Sequence, residues 1–444
     1  MKLGLISLGC SKNTVDSENM LGVLINEGKI QLVENLKEAD VIIVNTCAFI
    51  NDAKMESIET ILEVGAYKED YNLKKLIVTG CLSERYKEEL MEEIPVIDAV
   101  VGTGSIDHIY EIIKSVMHGN KETVVGKLDF LATTDTKRVL INNVHSAYIK
   151  ISEGCDKHCT YCIIPTLRGD LRSRYIEDVV EEAKALAAQG VKELNILAQE
   201  TTEYGKDIYG ELALAKLLKE VVKVEGIEWI RLYYMYPNSI TDELIQVIKE
   251  EPKICKYFDV PIQHISDNIL QSMARAKSGQ QVRDILGRIR SAIPDATIRT
   301  TVIVGFPGET EENYEELKEF IKEFRFDYVG VFKYSREEDT VAYSLPNQID
   351  EKIKDARWAD LLNVQGEIAE SINEKYIGKE VEVIIDGVSS ESEYMLEGRM
   401  RSQALDIDGK VLTSDGTGKQ GDIVKVKIEQ RFQYDFIGPI LEDN

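Results

Sequence analysis

Apolar runs along this chain stop, one after another, at a cysteine or a glycine. The run Lys2-Leu3-Gly4-Leu5-Ile6-Ser7-Leu8-Gly9 reads as a strand and ends at Cys10. A helical pattern follows from about Asp16, with Met20, Leu21, Leu24 and Ile25 on one face and Gly28 at its end. Val41-Ile42-Ile43-Val44 is the next strand, closed by Cys47. Asn51 then caps a helix carrying Met55, Ile58, Ile61 and Leu62. Leu76-Ile77-Val78 runs to Cys81, and Ala99-Val100-Val101 to Gly102. Strands alternating with helices predict a doubly wound parallel α/β domain over 1–120.

Residues 121–145 are polar, carry Thr133-Thr134-Asp135-Thr136-Lys137-Arg138, and read as a linker. The alternation then resumes, with strands predicted at 147–152, 193–199, 229–234, 257–262, 297–304 and 327–334. Between them lie amphipathic helices. One spans 177–188 and is stopped by Gly190; another sets Tyr314, Leu317, Phe320, Ile321 and Phe324 on a single face. Six such units predict a partial (β/α)6 barrel over 146–375, with chemistry at the carboxyl ends of its strands. A charged helix over 350–376 leads out of it. From 376 to 444 the pattern changes to short strands at 380–385, 394–400, 405–407, 410–413 and 422–429. Gly387, Gly409, Gly416, Gly418 and Gly421 punctuate them. That is the signature of a small antiparallel β-barrel.

Composition narrows the class. With 444 residues, 43% hydrophobic and 30% charged, the chain suits a protein of several well-filled domains. No apolar run reaches membrane-spanning length, and the apolar opening is too short for a signal peptide and lacks a cleavage pattern. Seven cysteines, an odd number, predict reduced thiols in the cytoplasm and no disulfide framework. The net charge of −25, from 53 basic and 78 acidic residues, repels phosphate backbones on average and attracts basic partners.

The densest chemistry lies at Cys155-Asp156-Lys157-His158-Cys159-Thr160-Tyr161-Cys162, just after the first barrel strand. Three thiolates on one loop can hold three corners of an iron–sulfur cube, leaving the fourth iron open to a small molecule. A structural zinc using His158 as fourth ligand fits less well, because such sites usually recruit a second ligand pair from a distant hairpin. Cys10, Cys47 and Cys81 are 37 and 34 positions apart, yet each follows a strand of a parallel sheet. Loops at the carboxyl ends of such strands gather on one edge, so the three thiols predict a second cluster site. Cys255 sits away from a strand's carboxyl end and reads as a buried bystander. His264 reads as a structural histidine. Gly305, Pro307 and Gly308 lack the Gly-Lys-Ser/Thr of a phosphate loop.

The chain resembles the radical S-adenosylmethionine methylthiotransferases, which join an amino-terminal cluster domain, a radical barrel and a terminal TRAM barrel. The residues that carry the likeness are Gly9 to Glu18, Cys162 to Arg174, Gln199-Glu200-Thr201-Thr202, Pro261-Ile262-Gln263-His264 and Arg299 to Glu309. They look most like the branch that modifies an aspartate of a small-subunit ribosomal protein. The resemblance implies two [4Fe-4S] clusters, on Cys155, Cys159 and Cys162 and on Cys10, Cys47 and Cys81. It also implies S-adenosylmethionine as cofactor, an electron donor and a sulfur donor. In that family the barrel cluster's electron releases a 5′-deoxyadenosyl radical that removes an unactivated hydrogen, and the second cluster presents sulfur. Gln199, Gln263 and Arg299, on barrel strands, either bind the polar parts of S-adenosylmethionine or satisfy neighbours inside the barrel. Tyr161 packs on the adenine or on its own loop. The rival branch methylthiolates an adenosine in transfer RNA. Against it, residues 376–444 hold 8 Lys/Arg and 14 Asp/Glu, a balance of −6. An RNA-binding barrel offers a basic groove with stacking aromatics; an acidic one bearing Tyr394, Phe432, Tyr434 and Phe436 suits a basic ribosomal protein. A non-catalytic cluster carrier has no need of a (β/α) barrel.

Overall fold

The computed structural model describes residues 1–27, 30–141 and 144–441; Gly28, read above as a helix end, lies outside them. The chain groups into two compact units. One comprises 1–142, 150–179 and 335–343; the other comprises 143–149, 180–334 and 344–444.

In the first unit six parallel strands stand in the order Gln31–Leu32, Lys2–Ser7, Val41–Thr46, Lys75–Gly80, Ala99–Val101, Glu122–Val124. Side chains alternate across the sheet, so successive residues of one strand feed different cores. Val41 and Ile43 pack with Met20, Leu21, Leu24, Ile109 and Ile113 on one face. Ile42 and Val44 pack with Ile61, Val64, Leu82 and Leu90 on the other. Helices on both faces make the doubly wound architecture that the alternation predicts.

Several local readings need correction. The first helix spans Ser11–Asn26 and begins well before Asp16, because its first turns bury Lys12, Asn13, Asp16, Ser17, Glu18 and Asn19 and so carry no apolar period. The next helix, Asn51–Gly65, has Ile50 in the capping position, with Asn51 inside its first turn. Its buried face is Ser57, Ile61 and Val64, while Met55 and Leu62 are exposed. The stretch read as a linker contributes the edge strand Glu122–Val124, three residues that sequence alone cannot separate from polar loop.

The second unit holds the barrel. Ser146–Lys150, Glu193–Leu197 and Trp229–Leu232 form one half; Tyr257–Asp259, Thr297–Val304 and Tyr328–Lys333 form the other. A parallel bridge from Ile230 to Ile254, and the hydrogen bond from Met235 N to Asp259 O (2.8 Å), join the halves in sequence order. The exit helix Glu351–Asn373 is fastened by Trp358 Nε1 donating to Val331 O (3.0 Å) and by Arg357 donating to Glu309 (2.6 Å).

The terminal sheet runs Ile423–Lys427, Glu380–Val388, Leu396–Met400, Val411–Thr413, Phe436–Gly438, Gln430–Arg431, and a Val426–Ile440 bridge curls it shut. All pairings are antiparallel except Val411–Thr413 with Phe436–Gly438. Residues 405–407 are a turn rather than a strand: Asp406 has φ 63°, and Asp408 accepts from Ala404 N at 2.9 Å. Phe436 is fully buried in this barrel's core, so among the described residues there only Tyr394 and Phe432 are exposed aromatics.

A buried ion network runs through this unit. Glu193 accepts from Arg399 (2.7 Å), Arg231 (3.2 Å) and Ser146 (2.7 Å), and Arg399 also donates to Asp386, which His145 meets at 2.8 Å. Burial alone would raise the Glu193 carboxyl, but Arg399 and then Arg231 outweigh it and hold the group at about 2. A depressed carboxylate stabilises the fold above its unfolded value near 4.5 and loses that contribution as pH falls through 2. Glu193→Ala removes a carboxylate shared by two buried guanidinium groups, the only ion-pair partner of Arg231 among the described residues, and will cost roughly 3–5 kcal/mol. Thermal unfolding at neutral pH checks this, and the gap to the parent should narrow between pH 4.5 and 2.

Candidate iron–sulfur site

Strand order places the loops that carry Cys10, Cys47 and Cys81. In this sheet the chain reverses direction between Lys2–Ser7 and Val41–Thr46, the crevice where open α/β sheets bind ligands. Cys10 follows the first of these strands and Cys47 the second; Cys81 follows the neighbouring strand, Lys75–Gly80. Cys10 is the capping residue of Ser11–Asn26, and Cys81 opens Cys81–Glu93, so both stand at the positive ends of helices. Two glycines let the loops close. Gly9 has φ 84°, and a Cβ there would come within 2.6 Å of Cys47 Cβ and 3.1 Å of its sulfur. Gly80, at φ 94°, would drive a Cβ to 2.6 Å from Thr46 O.

Cys47 and Cys81 are buried. Burial, and next the Cys81 thiol, push Cys47 up to about 12. Burial also raises Cys81, against the pull of Arg168. Buried neighbouring thiols resist losing protons together unless cations replace those protons. Among the described residues no group of three or more His, Cys, Asp or Glu converges to hold a single ion. A cubane asks for a different arrangement, with one thiolate for each of three irons.

The C-x3-C-x2-C loop belongs to the same unit. Its base is pinched by an antiparallel pair, Ser152–Glu153 with Arg172–Ser173, which the sequence pattern did not reveal. Cys155 N donates to Gly169 O (3.1 Å), Cys162 N to Cys159 O (2.9 Å) and Leu171 N to Asp156 Oδ1 (2.8 Å). His158 turns the loop at φ 47° and is exposed, while Cys159 is buried and Cys155 and Cys162 are half-buried. The loop ends in the short helix Ile164–Arg168.

Sequence reasoning gave Arg168 no role. It is buried, and donates to Asp16 (2.6 Å), to the Asn13 side-chain oxygen (2.7 Å) and to Cys81 Sγ (3.6 Å). Its charge was visible in the sequence, but a lone arginine after the thiols carries no spacing that names its partners.

Gln199, Gln263 and Arg299 fall in the second unit. Gln199 follows Glu193–Leu197 by two residues. Gln263 is buried at φ 73° and bridges to Val302, with its N–H on Thr301 O at 2.8 Å. Arg299 is only third in the eight-residue strand Thr297–Val304, toward the amino end. Its guanidinium is engaged by Asp259 (3.2 Å) and Asp408 (3.5 Å). These ion pairs are those of a residue that satisfies neighbours inside the barrel, the second of the two roles the sequence offers for it. Tyr161 is half-buried in the cysteine loop. Cys255 is buried, with its N–H on Ile230 O (2.9 Å), and His264 Nδ1 accepts from Ser266 N (3.0 Å).

Residues 149–321 match the family model of the radical SAM superfamily, 377–441 the TRAM domain, and 2–102 the uncharacterized protein family UPF0004. The fold is shared with the radical S-adenosylmethionine methyltransferase TsrM of Kitasatospora setae (TM-score 0.55, 14% identity, 74% of this chain and 72% of that one). It is shared also with the cobalamin-dependent radical enzyme OxsB (TM-score 0.52, 13% identity, 83% and 56%). Barrel and domain content thus define a radical S-adenosylmethionine enzyme. Over 99% of both chains it is 49% identical to ribosomal protein uS12 methylthiotransferase RimO of Clostridioides difficile (strain 630). The protein of the same name from Lachnoclostridium phytofermentans is 48% identical, again over 99% of each. The chain belongs to the RimO family of ribosomal protein uS12 methylthiotransferases.

Proposed function

We propose that this chain methylthiolates the β-carbon of an aspartate in ribosomal protein uS12. The observation that carries the reading is the pair of three-thiol sets in one compact unit, in a chain aligned end to end with its RimO relatives. Cys155, Cys159 and Cys162 are the ligands of the barrel [4Fe-4S] cluster, and Cys10, Cys47 and Cys81 those of a second. When bound, the first with S-adenosylmethionine supplies the hydrogen-abstracting radical and the second supplies sulfur, a second S-adenosylmethionine giving the methyl group. The chain's own part is to hold and shield these groups. Gly9 and Gly80 keep side chains out of the thiol pocket, and the helix ends behind Cys10 and Cys81 favour its negative charge. Gln199 and Gln263 contact the polar parts of S-adenosylmethionine, and Tyr161 its adenine. An electron donor and a sulfur donor come from outside the chain, in the cytoplasm. Among the described residues no helix is long and apolar enough to cross a membrane.

Substrate choice follows from the terminal barrel. The loop joining Glu380–Val388 to Leu396–Met400 exposes Glu391 and Glu393 beside Tyr394, which is 88% exposed. An acidic loop with a bare aromatic recruits a basic polypeptide and repels RNA. Reversing both charges (Glu391→Lys with Glu393→Lys) will slow association and raise KM for uS12 about tenfold at low salt. The difference should vanish toward 1 M salt, where screening shortens to about 3 Å. Equal KM values at low salt would remove this loop from substrate docking. Release of 5′-deoxyadenosine by the reduced, reconstituted protein separates the enzyme from a cluster carrier: a carrier releases none.

A further inference from the structure

Arg168 reaches the first thiol site while belonging to the segment that carries the other. It lies six positions after Cys162, on the short helix closing the C-x3-C-x2-C loop. Its guanidinium reaches Cys81 Sγ directly, and grips the Asn13 oxygen. The Asn13 amide in turn donates to Leu8 O and Thr46 O, both at 2.9 Å, which lie just before Cys10 and Cys47.

Charge balance separates a strut from something more. Lys150 and Arg168 face Asp16 and Glu153 in a closed buried quartet, two cations against two anions. The quartet is already neutral, so burial of Arg168 is compensated without the sulfur. The N–H that points at Cys81 is surplus to that balance. Hydrogen bonds to cluster sulfurs and local positive charge are the means by which proteins set iron–sulfur potentials, since both favour the more negative, reduced state.

We propose that Arg168 is a positioning residue that raises the reduction potential of the cluster held by Cys10, Cys47 and Cys81, through its N–H donated to the Cys81 sulfur. This deepens, and rests on, the cysteine assignment above. The arginine also joins the two cluster sites mechanically, so a shift of the C-x3-C-x2-C loop is felt at Cys81.

The test uses full-length protein bearing Cys155→Ala, Cys159→Ala and Cys162→Ala, reconstituted anaerobically so that only the second cluster remains. Its midpoint is read by potentiometric titration with electron paramagnetic resonance of the reduced form. Arg168→Gln will move the midpoint to lower potential by tenfold or more in the reduction equilibrium, 59 mV for a one-electron couple. Arg168→Lys, keeping the charge, will recover part of that shift. Should Arg168→Gln fold poorly because Asp16 is left unpaired, adding Asp16→Asn restores neutrality and the downward shift persists. An unchanged midpoint at full iron occupancy overturns the proposal and leaves Arg168 a strut alone. A parent triple variant that holds no iron overturns the cysteine assignment itself, and the proposal with it.

Discussion

Replacing Cys10, Cys47 and Cys81 together by alanine will leave a protein that cleaves S-adenosylmethionine yet forms no methylthio product. The three residues supply only the second thiol site, and the C-x3-C-x2-C loop keeps its own hydrogen bonds, from Cys155 to Gly169 and from Cys162 to Cys159. Iron should fall from about eight per chain to about four, one cubane's worth. The complementary change at Cys155, Cys159 and Cys162 will also leave about four irons but abolish cleavage as well as product. Iron analysis and deoxyadenosine release together check both. Normal product from the first variant would make those thiols structural residues. The variant is expected to fold, because the buried polar set behind the pocket remains paired: Asn45 on Asn13 O and Ser17, and Arg168 on Asp16.

The second large effect concerns the terminal barrel. By sequence it is a detachable docking module, whose deletion from Tyr376 onward should spare S-adenosylmethionine cleavage. The structure predicts otherwise. Within the second unit Arg399 satisfies Glu193, Asp408 meets Arg299 and the Tyr257 hydroxyl (2.7 Å), and Asp406 accepts from Tyr148 (3.0 Å). Deletion strips these partners from barrel groups that stay buried or half-buried, leaving Glu193 to Arg231 and Ser146 and Arg299 to Asp259. Each broken buried ion pair costs roughly 3–5 kcal/mol, comparable to much of a domain's net stability of about 5–15 kcal/mol. The truncated chain will therefore melt far below the parent or precipitate, and cleavage will fall with it. A truncated protein with the parent's melting temperature and full cleavage would contradict this, and would restore the view of the barrel as a separable module.

The parts of this account that the sequence made legible are those with a strong local period or a repeated placement. Val41 to Val44 and Leu76 to Val78 are buried on both faces of a parallel sheet, so they read as unbroken apolar runs. Cysteines just past three such runs are what points, in the sequence, to a shared site. What stayed hidden has the opposite character. Ser152–Glu153, Arg172–Ser173 and Glu122–Val124 are strands of two or three residues fixed by their partners, with too few positions to show a period. The first helix buries polar side chains toward the thiol site, so its apolar stripe starts late. Asp408 and Arg299 pair across 109 positions, and no spacing rule reaches that far. Arg168 is the same case: its function lies in where the fold puts its N–H groups.

One measurement tests the central claim most directly. The anaerobically reconstituted protein, with reductant, a sulfur source and S-adenosylmethionine, is offered purified uS12 and transfer RNA in the same reaction, and both are analysed by mass spectrometry. The account predicts one methylthio group on an aspartate of uS12 and none on the RNA. A methylthio group on transfer RNA with unmodified uS12 would contradict it.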